Sequence, residues 1–200
     1  MPEYSVDIRL ASILECGADI IVMSANPSLL AGSGLSGVIH KAAGPELEAI
    51  CKGLGPVNPG DCVVTPAFRI NAQFIAHTVC PRYLTGSSEE KSLLGCAYRS
   101  ALDLFEQCGI AKSIAFASMG TGIYRWPLEI AADIAITELM NSRFEQTLMC
   151  VTDQKTREVY EKALNKHGVR NQCIRTDQSD CHRSKESIRA GLSPIQLKPI

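Results

Sequence analysis

Apolar and polar positions alternate at Tyr4, Val6, Ile8 and Leu10, the two-residue period of a strand with one buried face. The run Asp19-Ile20-Ile21-Val22-Met23 is continuously apolar after its first residue, which predicts a strand covered on both sides and internal to its sheet. Glycines crowd the stretch from Ala31 to Gly37. Val38–Ala43 then has helical character until Gly44-Pro45 interrupts it, and a second helical turn follows around Leu47–Lys52. Cys62–Val64 and Phe74–His77 predict two short strands. Ser87-Ser88-Glu89-Glu90 has the form of a capping box, and Leu93, Leu94, Ala97, Tyr98, Ala101, Leu102 and Phe105 recur at helical spacing up to a C-cap at Gly109. Ile114–Ala117 reads as another buried strand, and Leu128–Met140 as a helix whose first turn tolerates Pro127. Leu148–Val151 reads as a strand, Thr156–Lys166 as a helix closed by Gly168, and Gln172–Ile174 as a short final strand. Strands alternating with helices predict an α/β sandwich around a largely parallel sheet. From Asp177 onward the chain is polar, Ser-rich and aperiodic, the composition of a flexible tail.

Composition narrows the function classes. The chain has 200 residues, 46% of them hydrophobic, enough to bury roughly 70% of its unfolded surface without disulfide or metal staples. Lys and Arg number 20 against 21 Asp and Glu, a net charge of -1, which removes the phosphate attraction of a general nucleic-acid binder. No apolar run approaches the roughly 20 residues of a membrane span, and the N-terminus has no basic leader, so the expectation is a cytoplasmic protein that is neither secreted nor membrane-bound. The nine cysteines are an odd number with no C-x-x-C pair, and read as reduced thiols. The best metal-like group, His167, Cys173, Cys181 and His182, has no zinc-ligand spacing, so no metal is expected.

In such a sheet ligands gather at the carboxyl ends of the strands, where two loops stand out. Gly32-Ser33-Gly34-Leu35-Ser36-Gly37 satisfies G-x-G-x-x-G and leads into a helix, where backbone N–H groups and the helix dipole favour a phosphate or diphosphate. A Rossmann dinucleotide site would place the glycines directly after the strand and an acid about 20 residues on. Here Asn26 to Ala31 intervene, and the later stretch is Gly53-Leu54-Gly55-Pro56. The second loop, Ser118-Met119-Gly120-Thr121-Gly122-Ile123-Tyr124, also runs from a buried strand toward a helix, and with the first could hold a diphosphate while Tyr124 offers an aromatic face to a sugar.

Ala18-Asp19-Ile20-Ile21-Val22-Met23-Ser24-Ala25-Asn26-Pro27-Ser28-Leu29-Leu30, the glycine turn, and Gly37-Val38-Ile39-His40-Lys41-Ala42-Ala43-Gly44 resemble the macrodomain signature. His77-Thr78-Val79 and the Ser118–Tyr124 loop resemble its later motifs, in the same order, so that the likeness runs from residue 4 to residue 166. The resemblance implies a three-layer α/β/α sandwich with a mixed, mostly parallel sheet over residues 1–174, residues 175–200 forming the polar tail. It implies a monomeric domain that needs no cofactor and takes ADP-ribose, free or on a modified protein, as ligand or substrate. By that resemblance Asn26 meets the distal ribose and places the scissile bond as the catalytic residue, and Ala25 beside it is among the ligand-binding residues. By the same resemblance Gly32, Ser33, Gly34 and Leu35 form one diphosphate loop, with Ser36 after them also ligand-binding, Ser118, Met119, Gly120, Thr121, Gly122 and Ile123 form the other, and Tyr124 lies against the distal ribose.

Two positions depart from the pattern. The Gly-Asp-Ile of many macrodomains, whose aspartate accepts from the adenine amino group, is here Ala11-Ser12-Ile13, so Ser12 and Ile13 stand at the adenine end without the charge. The Gly-Val-Asp-Gly of many hydrolases is Gly34-Leu35-Ser36-Gly37, and a serine with no adjacent base is a poor proton acceptor. The leading expectation is hydrolysis of ester-linked ADP-ribose, on acidic residues or as O-acetyl-ADP-ribose, by a route other than Ser36; the alternative is binding without turnover. His40 and His77 are read as structural, Arg125 and Trp126 as flanking the site mouth, and the cysteines as incidental to the site.

Overall fold

The computed structural model describes residues 6–108 and 111–177, with backbone alone for 104–108 and 169–177. Its elements, in chain order, are β1 (Val6–Leu10), a 3-10 turn (Ile13–Glu15), β2 (Ile20–Ala25), α1 (Leu35–Ala43), α2 (Pro45–Leu54), β3 (Cys62–Pro66), β4 (Phe74–Val79), α3 (Ser88–Cys108), β5 (Ser113–Ala117), α4 (Leu128–Leu139), β6 (Gln146–Val151) and α5 (Gln154–Asp177). The six strands form one sheet in the order β1-β6-β5-β2-β4-β3, in which β3 alone is antiparallel to its neighbour. The mixed, mostly parallel three-layer sandwich is therefore present.

Strand β2 explains the layering. Lying between β5 and β4, it directs Ile20 and Val22 into a cluster with Leu94, Tyr98 and Ala101 of α3, Ala132 and Ile136 of α4, and Tyr160 of α5. Ile21 and Met23 point the opposite way, toward Ile39 and Ala43 of α1 and Leu47 and Cys51 of α2. A continuous apolar run is what a strand needs when both faces are covered. β1 sits at the sheet edge, paired only with β6; the alternation read from the sequence holds at Val6 and Ile8, whereas Leu10 is exposed and Tyr4 lies outside the described residues. The start of β2 is pinned by Asp19, whose Oδ2 accepts from the N–H of Lys112 (2.9 Å) and Ser113 (3.0 Å) while Oδ1 accepts from Gln73 Nε2 (2.8 Å).

Three local readings change. Gly168 does not close α5, which continues to Asp177, so Gln172–Ile174 is helix rather than strand and the tail's first residues, 175–177, are helical too. A single helix-interior glycine costs only about 1 kcal/mol and does not by itself terminate a helix. The capping box is half formed. Ser87 Oγ accepts from Glu90 N at 3.2 Å, but the Glu90 carboxylate turns to the preceding loop, accepting from the N–H of Leu84 (3.1 Å), Thr85 and Gly86 (3.0 Å). Pro127 occupies the N-cap of α4 rather than its first turn. Gly109 and residues 178–200 lie outside the described residues. Among the described residues no helix is long and apolar enough to cross a membrane.

Candidate functional site

β2, β5 and β6 run parallel and end side by side, and the loops leaving them enclose two confluent cavities of about 160 and 300 Å³ that share Leu35, Ala117, Ser118 and Gly122. The first is walled by Asn26, Gly32–Ser36, Ser118–Gly120 and Gly122–Tyr124, while Thr121 lines the second. The second opens between Ser12 and Ile13 on one side and Thr152, Asp153 and Thr156 on the other.

The first loop is shaped by close backbone approach. Gly37, in the opening turn of α1, faces the Gly32 carbonyl so closely that a Cβ there would lie 2.3 Å from its oxygen. The loop thus folds back onto the helix start. Val38 N donates to Gly34 O at 3.2 Å, and the N–H groups of Ser33, Gly34, Leu35, Ser36 and Gly37 have no described protein acceptor. Orphan donors at a helix N-terminus are the physical basis of anion binding.

The second loop is braced from below. Met119 N donates to Tyr98 Oη at 3.3 Å and Tyr160 Oη donates to Ser118 Oγ at 2.9 Å, the two tyrosines lying in one buried apolar cluster. Burial raises both tyrosine hydroxyls, Tyr160 to about 12, so they remain protonated donors. Gly120 has φ +79 and a would-be Cβ 2.6 Å from Trp126 Cδ1, two reasons to require glycine. Trp126 does not flank the mouth: it is 3% exposed, donates Nε1 to Pro81 O at 2.8 Å and meets Tyr83 edge-on. Arg125 N and Trp126 N turn back to the carbonyls of Gly122 and Gly120, and no described acceptor takes the N–H groups of Gly120 through Tyr124. The two loops therefore present free amides toward one space.

Asn26 borders that space with its amide engaged in its own turn, Nδ2 donating to Leu30 O at 2.8 Å and Oδ1 accepting from Ser28 Oγ at 2.7 Å. Ser36 also borders it, but its hydroxyl is buried and unpartnered. Tyr124 forms one wall, with the Arg82 guanidinium 5.6 Å from its ring centroid. Ser12 is an N-cap, accepting from Leu14 N at 3.3 Å, and with Ile13 faces the second cavity. Ala25 does not line either cavity. The alternation of β2 turns it into the apolar cluster beneath α1, while Ser24 and Asn26 face the cleft.

Sequence reasoning missed Thr152, Asp153 and Thr156. Their signal was an acid three residues before a threonine at a strand-to-helix boundary, and Asp153 indeed accepts from Thr156 N at 2.9 Å and Thr156 Oγ1 at 2.7 Å. It also missed that Cys150 lines the second cavity. The candidate metal ligand His167 instead meets Asp133 Oδ1 at 2.9 Å, and the side chains of Cys173, Cys181 and His182 lie outside the description. Among the described residues, His40, Cys51 and His77 place one ligand atom each within 4.8 Å of one another, away from both cavities. His77 Nε2 is 2.8 Å from Thr65 Oγ1, and burial, aided by His40, lowers its pKa to about 3, so it is a neutral core histidine.

A mostly parallel three-layer sandwich with paired glycine loops over the β2 and β5 ends defines an anion-binding α/β domain. The macro domain family model matches residues 22–135, and the chain belongs to that family. A macro domain-containing protein of Chlorobaculum tepidum is 41% identical over 161 residues, covering 77% of this chain and 92% of that protein. A Citrobacter rodentium protein named O-acetyl-ADP-ribose deacetylase is 39% identical over 165 residues, covering 78% and 93%. Among solved structures, the Oceanobacillus iheyensis macrodomain with ADP superposes with a TM-score of 0.78 at 29% identity, covering 84% of this chain and 93% of that one. The Trypanosoma brucei macrodomain in complex with ADP-ribose superposes with a TM-score of 0.72 at 28% identity, covering 80% and 68%.

Proposed function

We propose that this chain binds ADP-ribose and hydrolyses its ester-linked forms, on modified acidic side chains or as O-acetyl-ADP-ribose. The observation that carries the binding reading is the pair of loops, Gly32–Gly37 and Ser118–Tyr124, whose free amides converge on one cavity. The diphosphate lies between them, the distal ribose between Asn26 and Tyr124, and the adenine in the second cavity against Ser12 and Ile13. No cofactor or metal takes part.

The hydrolytic reading draws on the relatives named O-acetyl-ADP-ribose deacetylase, at 36 to 39% identity. No Asp, Glu or His lines the first cavity, and the Ser36 hydroxyl is buried, so the base is not a side chain there. A phosphate oxygen of the substrate takes the proton of a water. The water oxygen bonds to the acyl carbon, the bond from that carbon to the ribose oxygen breaks, and the ribose oxygen recovers the proton. Asn26 positions the ribose for this attack.

The missing side-chain base favours a second reading, a module that holds ADP-ribose without turnover. Incubation of excess protein with a glutamate-ADP-ribosylated substrate separates the two: release of ADP-ribose is expected, and tight calorimetric binding without release leaves the binding module. Absence of ADP-ribose binding by calorimetry refutes both.

A further inference from the structure

Charge is unevenly placed on the cleft walls. The free amides of the two glycine loops converge on the first cavity, whereas Asp153, the one charged side chain on either wall, stands on the second alone. It is not among Leu35, Ala117, Ser118 and Gly122, which the cavities share, and so lies away from their junction. A carboxylate in a cleft that holds a diphosphate repels the ligand unless it meets a donor on it. We propose that Asp153 accepts from the exocyclic amine of the ligand's base and thereby makes the second cavity selective for adenine over 6-keto purines. This assignment rests on the ADP-ribose reading above.

The carboxylate is fixed and ready to accept. Asp153 lies between β6 and α5, its Oδ1 accepting from Thr156 N at 2.9 Å and its Oδ2 from Thr156 Oγ1 at 2.7 Å. These bonds hold the side chain in one orientation and its carboxyl below the usual carboxylate range, so it is ionised at neutral pH. An ionised carboxylate has about four lone-pair sites and no donor, so each oxygen keeps an acceptor site after its bond to Thr156.

The facing wall supplies the complementary role. Ser12 Oγ accepts from Leu14 N at 3.3 Å and keeps its own O–H to donate. Adenine presents a ring-nitrogen acceptor beside an amine donor, so Ser12 and Asp153 meet it with unlike partners. A 6-keto purine puts an oxygen where the amine would be, and acceptor then faces acceptor. The other lining side chains are apolar, hydroxyl or thiol groups, so no second carboxylate, amide or imidazole duplicates Asp153. No aromatic side chain lines this cavity either, and stacking on an aromatic is the contact that tolerates any base. Discrimination therefore falls to hydrogen bonds.

The test titrates the full chain by calorimetry with ADP-ribose and with its hypoxanthine analogue, in which a keto oxygen replaces the amine. The native protein should prefer ADP-ribose by about tenfold, one hydrogen bond's worth of affinity. Asp153→Asn keeps a helix cap and can turn its amide N–H toward a keto oxygen, so the preference should fall to about twofold or less at an unchanged melting temperature. Asp153→Ser, a cap without the charge, should lose the preference in the same way. Equal binding of the two ligands by the native protein overturns the assignment. So does an equal loss for both ligands in the variants, which would place the carboxylate against a ribose hydroxyl rather than the base. Failure of the native protein to bind either ligand overturns the proposed function itself.

Discussion

Replacement of Gly37 by alanine sets helix propensity against loop geometry. Alanine in place of an α-helical glycine favours the helix by up to about 1 kcal/mol. The same methyl would stand 2.3 Å from the Gly32 carbonyl oxygen. The α1 backbone is held by buried Ile39, His40 and Ala43, whereas Ala31–Gly34 are exposed, so the loop and not the helix gives way. Real Cβ contacts stay beyond 3.0 Å, which requires a retreat of about 0.7–1 Å. That movement carries the Ser33 and Gly34 amides off the anion. Loss of one hydrogen bond to a charged group, about 1.5–3 kcal/mol, weakens binding by about tenfold to a hundredfold. The expected signature of Gly37→Ala is therefore a large loss of ADP-ribose affinity by calorimetry with a melting temperature unchanged or raised by a few degrees, at most about 4 °C. Affinity within threefold of the native protein would refute the loop argument; a fall in melting temperature matching the affinity loss would show that the helix, not the loop, had yielded.

Tyr160→Phe removes the hydroxyl that donates to Ser118 Oγ at the base of the second loop; a loss of about 0.5–1.5 kcal/mol is expected in urea unfolding, with ADP-ribose affinity falling alongside it. Gly120→Ala combines a left-handed backbone with a contact on the buried Trp126 ring, and a destabilisation of about 2–4 kcal/mol should appear in the same measurement. Asn26→Ala should slow single-turnover ester hydrolysis about a hundredfold, the cost of misplacing a reacting group by about 1 Å, while ADP-ribose affinity changes much less; equal losses in both would mark Asn26 as a turn brace only. His77 titrates near 3 when folded and near 6.5 when unfolded, so the unfolded chain takes up the extra proton as pH falls below 6.5. Stability is full above that pH and falls on acidification, by about 2–3 kcal/mol at pH 4.5 from this residue, and His77→Gln should flatten the pH dependence of the unfolding midpoint.

What could be read in the sequence follows from how local its cause is. β2 was legible because a strand with both faces covered must be apolar throughout, and the glycine loops because glycine alone tolerates a 2.3 Å carbonyl approach at residue 37 or a φ of +79 at residue 120. Residues that act through distant partners were not. Trp126 looks like a surface aromatic until β4's trailing segment brings Pro81 to its indole N–H, and nothing near Ala25 reports that the pleat turns it away from the cleft. Tyr98 and Tyr160, which brace the second loop through Met119 N and Ser118 Oγ, come from two helices and lie 62 positions apart in the chain. Gly168 misled for the opposite reason, a local stop signal overridden by continuation of α5.

The cleft's electrostatics bind these observations together. No lysine or arginine lines either cavity, and Asp153 is the one charged side chain on their walls. A diphosphate held there meets fixed backbone dipoles, and these act only when several N–H groups point at one place. Lysines could follow a displaced phosphate on flexible stems; amides cannot. Affinity is thereby made to depend on loop shape, which is why Gly37 and Gly120, lacking any polar side chain, and Tyr98 and Tyr160, lying beneath the loop rather than in it, bear as heavily on binding as the residues that line the cleft.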